Sequence, residues 1–310
     1  MAIFDRRSLS SAIEQTEGVN VSPSLTTDAA VLLDLEIGVE ADEVEREISV
    51  PWLGSKEVVY TRKQVTFSFS VELSGSGTAG TAPAWGRFVQ GAGFSQTTVD
   101  NTVVYSPIST GFPSLTMIGN HDGNQFIGLG CRATSMEIEC QVGEIPKLNF
   151  EFAGAYLPPT DVALPSPTYT GQAKPVTFAS GNTVNATLDS YAFCIEEFSL
   201  DLNLESNFRE LVGCSKSTKI SQRAVEGEIL VERPDLLATK NLYTAIDAHT
   251  LVPLTFQHGT VAGNRVTIAC PTLQLTYPEA DDSDGILMHN YSFRAVPVSP
   301  GNNELTITVS

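Results

Sequence analysis

The chain is short of positive charge. Across 310 residues Lys and Arg total 18 against 36 Asp and Glu, a formal charge of −18. Binding to nucleic acid depends on Lys and Arg that neutralise phosphates, so such a role is disfavoured. An acidic surface can still act on DNA by repelling it, or can simply keep a protein dispersed. Histidine is scarce too: the four are His121, His249, His258 and His289, and none forms a spaced ligand pair. The five cysteines, Cys131, Cys140, Cys194, Cys214 and Cys270, are odd in number and widely spaced, with no CxxC. That pattern favours buried free thiols over a disulfide framework. No run approaches the ~20 apolar residues of a membrane span. The opening Met1-Ala2-Ile3-Phe4-Asp5-Arg6-Arg7 lacks the apolar segment of an export signal. The expectation is a protein made and used without crossing a membrane by the usual route.

Catalytic signatures are missing as well. There is no GxSxG elbow, P-loop or dinucleotide fingerprint. Gly119-Asn120-His121-Asp122 matches a short motif of metal-dependent phosphoesterases, but no DxH or GDxxD precedes it to complete a two-metal site. A polar turn is the better reading. Asp281-Asp282-Ser283-Asp284-Gly285 clusters carboxylates as calcium loops do, yet Ala280 stands at the first ligand position and no glutamate closes the loop. A solvated hairpin tip is favoured. Asp34/Glu36 and Glu137/Glu139 are i, i+2 pairs, about 7 Å apart on one face of a strand. They read as the wet side of a half-buried sheet before they read as paired acids. No enzyme activity, metal or cofactor is expected.

What remains is β-strand pattern with enough apolar content, 42%, for a sizeable core. Residues 29–37 alternate apolar and acidic, the mark of a half-buried strand. Glu40 to Glu47 is a dense acidic run followed by Pro51-Trp52-Leu53-Gly54, and an exposed loop or hairpin fits there. Val58 to Leu73 is strand-like, rich in Val, Tyr, Thr and Phe. Pro83 to Gln90 reads as a short helix with Trp85, Phe88 and Val89 on one stripe, ended by Gly91 and Gly93. Leu129 to Val142 alternates strictly, and Gly143-Glu144 turns it into a return strand, Lys147 to Tyr156. Residues 157–183 hold Pro158, Pro159, Pro165, Pro167 and Pro175 among Thr, Ser and Gly, a linker composition. A second helix is expected over Leu236–His249, burying Leu237, Leu242, Tyr243 and Ile246. Strands are expected at Leu251–Phe256, Arg265–Tyr277, Ile286–Val298 and Glu304–Val309, with Pro278–Gly285 an acidic loop. A short helix over Ser8–Glu17 is expected in an N-terminal arm.

The pattern is written twice. Leu33-Asp34-Leu35-Glu36-Ile37 is echoed by Leu200-Asp201-Leu202-Asn203-Leu204, and Gly130-Cys131-Arg132-Ala133-Thr134 by Gly263-Asn264-Arg265-Val266-Thr267. Each half reads as strands, one helix and a closing hairpin. This divides the chain into an arm (1–20), a first unit (21–157) with a projecting loop at about 40–60, a linker (158–185) and a second unit (186–310).

Four stretches resemble the major tail tube protein of long-tailed, non-contractile bacteriophages. They are the acidic strand and charged loop of Leu33–Glu47, the aromatic helix ending in Gly-x-Gly-Phe (Trp85–Phe94), the hairpin of Gly130–Gly154 with its GE-x-P turn and F-x-F-x-G return, and Ile195–Pro234. The resemblance implies a mainly β fold of two tandem sandwich or barrel domains, each with one short flanking helix. It implies six-domain rings stacked into a tube. Two domains per chain then give a trimer with pseudo-sixfold symmetry, or a hexamer with the second half outside. It implies a virion tail component assembled in the bacterial cytoplasm. Its partners are further copies of itself, a tape-measure protein in the lumen, tail terminator and distal tail proteins, and genomic DNA that passes without specific binding. Asp34, Glu36, Glu137, Glu139 and Asp201 become candidates for an acidic lumen wall. Glu40, Asp42, Glu43, Glu45, Arg46, Glu47, Trp52 and Lys56 become candidates for contact with the next ring, with the N-terminal arm either a second contact or disordered. A two-domain lectin- or adhesin-like binding module also accounts for the strands and linker.

Overall fold

The computed structural model describes residues 5–164 and 166–310. The first four residues of the arm and Pro165 of the proline-rich stretch lie outside the described residues. Strands β1 (Arg7–Ile13), β2 (Leu33–Glu45) and β3 (Val58–Glu72) precede helix α1 (Gly86–Gly91). Strands β4 (Phe94–Val99), β5 (Thr102–Pro107), β6 (Leu115–His121), β7 (Asn124–Gln141) and β8 (Lys147–Asp161) complete the first half. The second half runs β9 (Thr183–Leu188), β10 (Ile195–Asp201), β11 (Glu205–Arg209), β12 (Ser217–Gln222), β13 (Glu226–Glu232), α2 (Leu242–Asp247), β14 (Val252–His258), β15 (Val266–Leu275), β16 (Glu279–Ser283), β17 (Ile286–Ala295) and β18 (Thr306–Val309). The fold is mainly β with two short helices, as the alternation implied.

Sixteen strands belong to one hydrogen-bonded network. Its main path is β2-β3-β8-β7-β10-β13-β17-β15-β18-β5-β4, and β11·β12 is a separate hairpin. The order recurs between the halves. In each, a first strand pairs with a second, the second with the last long strand, and that strand with what precedes it: β2-β3-β8-β7, then β10-β13-β17, where β15 and β16 together pair with β17 as β7 does with β8. The two runs meet where β7 pairs with β10, Glu137–Gln141 against Asp201–Glu197. At the far end β18 pairs with β5, Ile307 opposite Tyr105, so the C-terminal tail ties back into the first half.

Buried side chains hold these layers together. Phe69 stacks on Phe152 with ring centroids 6.0 Å apart, and Phe88 of α1 meets Phe69 edge-on at 4.7 Å. The short helix therefore caps an aromatic sheet face, which is why its stripe carries Trp85, Phe88 and Val89, all buried. In the second half Phe198 lies 5.0 Å from Phe256 and 6.0 Å from Phe293. Cys131, Cys140 and Cys270 are buried free thiols as expected, whereas Cys194 and Cys214 are exposed.

Several expectations need correction. Ser8–Glu17 is no helix: Arg7–Ile13 form β1 and pair one for one with His121–Leu115 of β6. Ser8, Ser10 and Ser11 are weak helix formers whose hydroxyls compete for the backbone, and the ladder to β6 supplies the bonds instead. Helix α2 starts at Leu242 because Asn241 caps it, its side chain accepting from the Tyr243 amide at 3.1 Å. Leu236 and Leu237 consequently stay exposed. The acidic stretch after Pro278 is not a loop but strand β16 hairpinned onto β17. Asp284 (φ 52°) and Gly285 (φ 83°) make its two-residue turn, the left-handed pair that a tight hairpin requires. The Gly-x-Arg-x-Thr echo does not mark equivalent places either. Gly130 sits at a bulge inside β7, while Gly263 precedes β15. The equivalence runs through Asn149-Phe150-Glu151-Phe152 of β8 and Asn290-Tyr291-Ser292-Phe293 of β17.

The proline-rich stretch begins inside β8, which runs to Asp161. Beyond it the chain is tied to both halves: the Ala173 amide donates to Gly75 O at 2.8 Å, Gly143 N to Phe178 O at 2.9 Å, and Asn264 Nδ2 to Lys174 O at 3.0 Å.

Candidate assembly surface

The junction β7·β10 creates one broad polar face. Because side chains alternate along a strand, directly opposed residues share a face. One cross-strand row reads Glu72, Lys147, Glu139, Ser199, Glu228, Ser292. The next, two residues along, reads Ser70, Asn149, Glu137, Asp201, Glu226, Arg294. A third reads Glu36, Ser68, Glu151, Ser135. Between them run apolar rows on the opposite face, such as Val71, Leu148, Ile138, Leu200, Gly227, Phe293. A Cβ at Gly227 would fall 2.2 Å from Ser199 O and 2.6 Å from the Phe293 ring, so the close approach of β10 and Phe293 needs glycine here.

Eight carboxylates in these rows face two cations. Lys147 lies between Glu72 and Glu139 in its row, and Arg294 pairs with Glu226 at 2.6 Å. Glu228 is held by Asn290 and Ser292 at 3.1 and 3.3 Å. Burial pushes the Glu137 carboxyl up; a hydrogen bond from Asn149 opposes this, and the charges of Glu139 and Asp201 add to it. Glu137, Glu139 and Asp201 thus form one tight acidic group. Glu36 shares their face three strands away. Asp34 does not join a row: it sits at the bulge between Leu33 and Glu36 with φ 51°. Sequence reading missed Glu72, Glu151, Glu226 and Glu228, although each alternates with apolar neighbours on its strand.

A second feature projects from the same sheet. Glu40, Asp42, Glu43 and Glu45 belong to β2 itself, which stays paired with β3 as far as Glu45 opposite Val58. The expected loop is therefore a long hairpin with residues 46–57 beyond its strands. Gln64 Nε2 donates to Glu40 at 2.8 Å, Arg62 pairs with Asp42 at 3.2 Å, and Arg46 with Glu57 at 3.1 Å. Glu47, Trp52, Leu53 and Lys56 stand exposed at the tip.

The N-terminal segment ties the two halves together through Glu17. Glu14 is buried and accepts from Ser114 (2.6 Å), Thr116 (3.1 Å), Gly18 N (2.7 Å) and Gly130 N (2.8 Å). Glu17 pairs with Arg132 of β7 at 2.6 Å and Lys219 of β12 at 2.5 Å. Burial would raise the Glu17 carboxyl, but hydrogen bonds from Lys219 and Arg132 outweigh it and hold it at about 2. Asp122, at the end of the phosphoesterase-like motif, pairs with Arg6 at 2.7 Å across the β6–β7 turn. No helix of the described residues is long and apolar enough to cross a membrane.

The model of a sequence family described as phage tail tube protein matches residues 5–295. The chain belongs to the phage tail tube protein family. No curated protein matches it. Family membership makes the chain a structural component of the virion tail, self-assembling into a tube, and implies a non-enzymatic role. The two-faced sheet of this tube protein suits that role: it has a polar face, an apolar face and, among the described residues, end strands β2 and β4 that each pair on one side only.

Proposed function

We propose that the chain forms stacked rings of the tail tube of a long-tailed, non-contractile phage. Three copies make each ring, and each copy contributes two adjacent sixths. The acidic rows face the lumen, where they repel phosphates and let DNA leave without being held. The hairpin tip 46–57 reaches the adjacent ring. The lumen holds a tape-measure protein during assembly in the bacterial cytoplasm, and terminator and distal tail proteins close the two ends.

One observation carries this reading. The two halves already join edge to edge through β7·β10, so one chain behaves as two neighbouring members of a larger closed sheet. Closure of that sheet removes the exposed edges that would otherwise aggregate. Negative-stain microscopy of the purified protein tests it: hollow tubes or rings with threefold or sixfold outline are expected, and compact monomers at every concentration and salt level contradict it.

A further inference from the structure

The internal seam β7·β10 is a template for the seam between chains. The Asn-aromatic-x-Phe segments give the mapping. Asn149 of β8 lies opposite Glu137 of β7, and Asn290 of β17 lies opposite Glu279 of β16. Glu139 lies opposite Lys147, and Asp281 opposite Met288, in step with this. Strand β16 therefore occupies in the second half the place that Glu137–Gln141 occupies in the first. On the other side, Glu36 lies opposite Ser68 and Ser199 opposite Glu228. Ser68 and Glu228 in turn face Glu151 and Ser292, which stand two residues after the paired asparagines. Glu36 of β2 thus matches Ser199 of β10, Ile37 matches Leu200, and Gly38 matches Asp201.

Both matching strands lack a second strand partner among the described residues: β2 pairs only with β3, and β16 only with β17. Arg7 donates to the Leu35 carbonyl of β2. Exposed apolar groups flank them: Val39 beside the first, and Tyr277, Ile286 and Leu287 beside the second. Singly paired strands with apolar flanks are ready to take another strand.

We infer that β16 of one copy pairs antiparallel with β2 of the next in the register of β7·β10, placing Glu36 opposite Asp281, Ile37 opposite Ala280 and Gly38 opposite Glu279. This rests on the ring reading above and adds to it a strand pair and a register. Gly38 at the place of Asp201 removes one carboxylate from the new seam. The seam also lacks a counterpart of Lys147, because Met288 stands there.

The test is a paired-cysteine experiment in full-length protein carrying Cys194→Ser and Cys214→Ser. Glu36→Cys with Asp281→Cys puts two Cβ atoms directly opposite, within disulfide reach. Glu40→Cys with Asp281→Cys is the four-residue-shifted control. After mild oxidation, non-reducing gels of the first variant should show dimers and closed trimers at least about tenfold above the control, since a four-residue shift separates the Cα atoms by roughly 13 Å. Melting temperatures within a few degrees of the parent show that both variants fold. Rings by microscopy without the first cross-link, or with equal cross-linking in the control, overturn the register alone. No rings from parent or variants overturns the tube reading, and the register with it.

Discussion

At the residue scale, the most consequential side chain outside the acidic rows is Glu17. It bridges β7 and β12, and its folded pKa of about 2 lies below the ordinary 4.5. A depressed carboxylate stabilises above its unfolded pKa and loses that contribution as pH falls through the folded one. Glu17→Gln should therefore cost about 1–2 kcal/mol near neutrality, within the range for hydrogen bonds to charged groups at a part-exposed site. The difference should shrink as pH drops from about 4.5 toward 2, read as urea midpoints of the two proteins; a pH-independent gap would contradict the ion-pair account. Phe152 is different in kind. It is fully buried against Phe69, Phe88 and Phe150, so Phe152→Ala should cost about 3–5 kcal/mol at any pH, by the same urea measurement. Phe152 was visible in the sequence because the F-x-F return alternates. The network of Glu17, Arg132 and Lys219 was not, because it depends on contacts spanning 115 and 202 residues.

At the element scale, the legible strands were those with one wet and one dry face. Strand β3 is legible nearly to both ends, whereas the pattern shows β7 only from Leu129 and β8 only as far as Tyr156, because β7 begins at Asn124 and β8 runs on through Pro158 and Pro159 to Asp161. Strand β16 reads as a loop in the sequence because Glu279, Asp281 and Asp282 put charge on both of its faces, hiding the two-residue period; it is a strand because β17 supplies its ladder. Strand β1 was hidden by serines that say little about period, and its partner β6 lies more than a hundred residues away. The acidic group Glu137/Glu139/Asp201 was named residue by residue, but its assembly depends on β7·β10, a pairing between halves that no local pattern records. The hairpin of β2 and β3 carries a prediction of its own. Replacing residues 46–57 with a short Asn-Gly turn keeps the ladder from Glu45 to Val58. The product should remain folded and soluble and should form single rings that do not stack, as seen by microscopy and sedimentation; normal-length tubes would remove the tip from the inter-ring contact.

At the scale of the whole molecule, charge and closure oppose each other. Bringing Glu36, Glu279 and Asp281 together across each seam sets like charges on one face without a lysine between them. Screening such exposed charges shortens their reach to about 10 Å at 0.1 M salt and about 3 Å at 1 M. Assembly should accordingly be favoured by raising salt from about 0.05 to about 0.5 M, followed by light scattering; assembly that weakens with salt would mean that attraction between opposite charges dominates the seam instead. The central claim is that this sheet curves around a conduit with its acidic rows inward. Cryo-electron microscopy of tubes assembled from the purified chain tests it most directly. The account predicts three chains per ring and Glu137, Glu139, Asp201 and Glu228 lining the lumen; tubes with those carboxylates on the outer surface and a basic inner wall would contradict it.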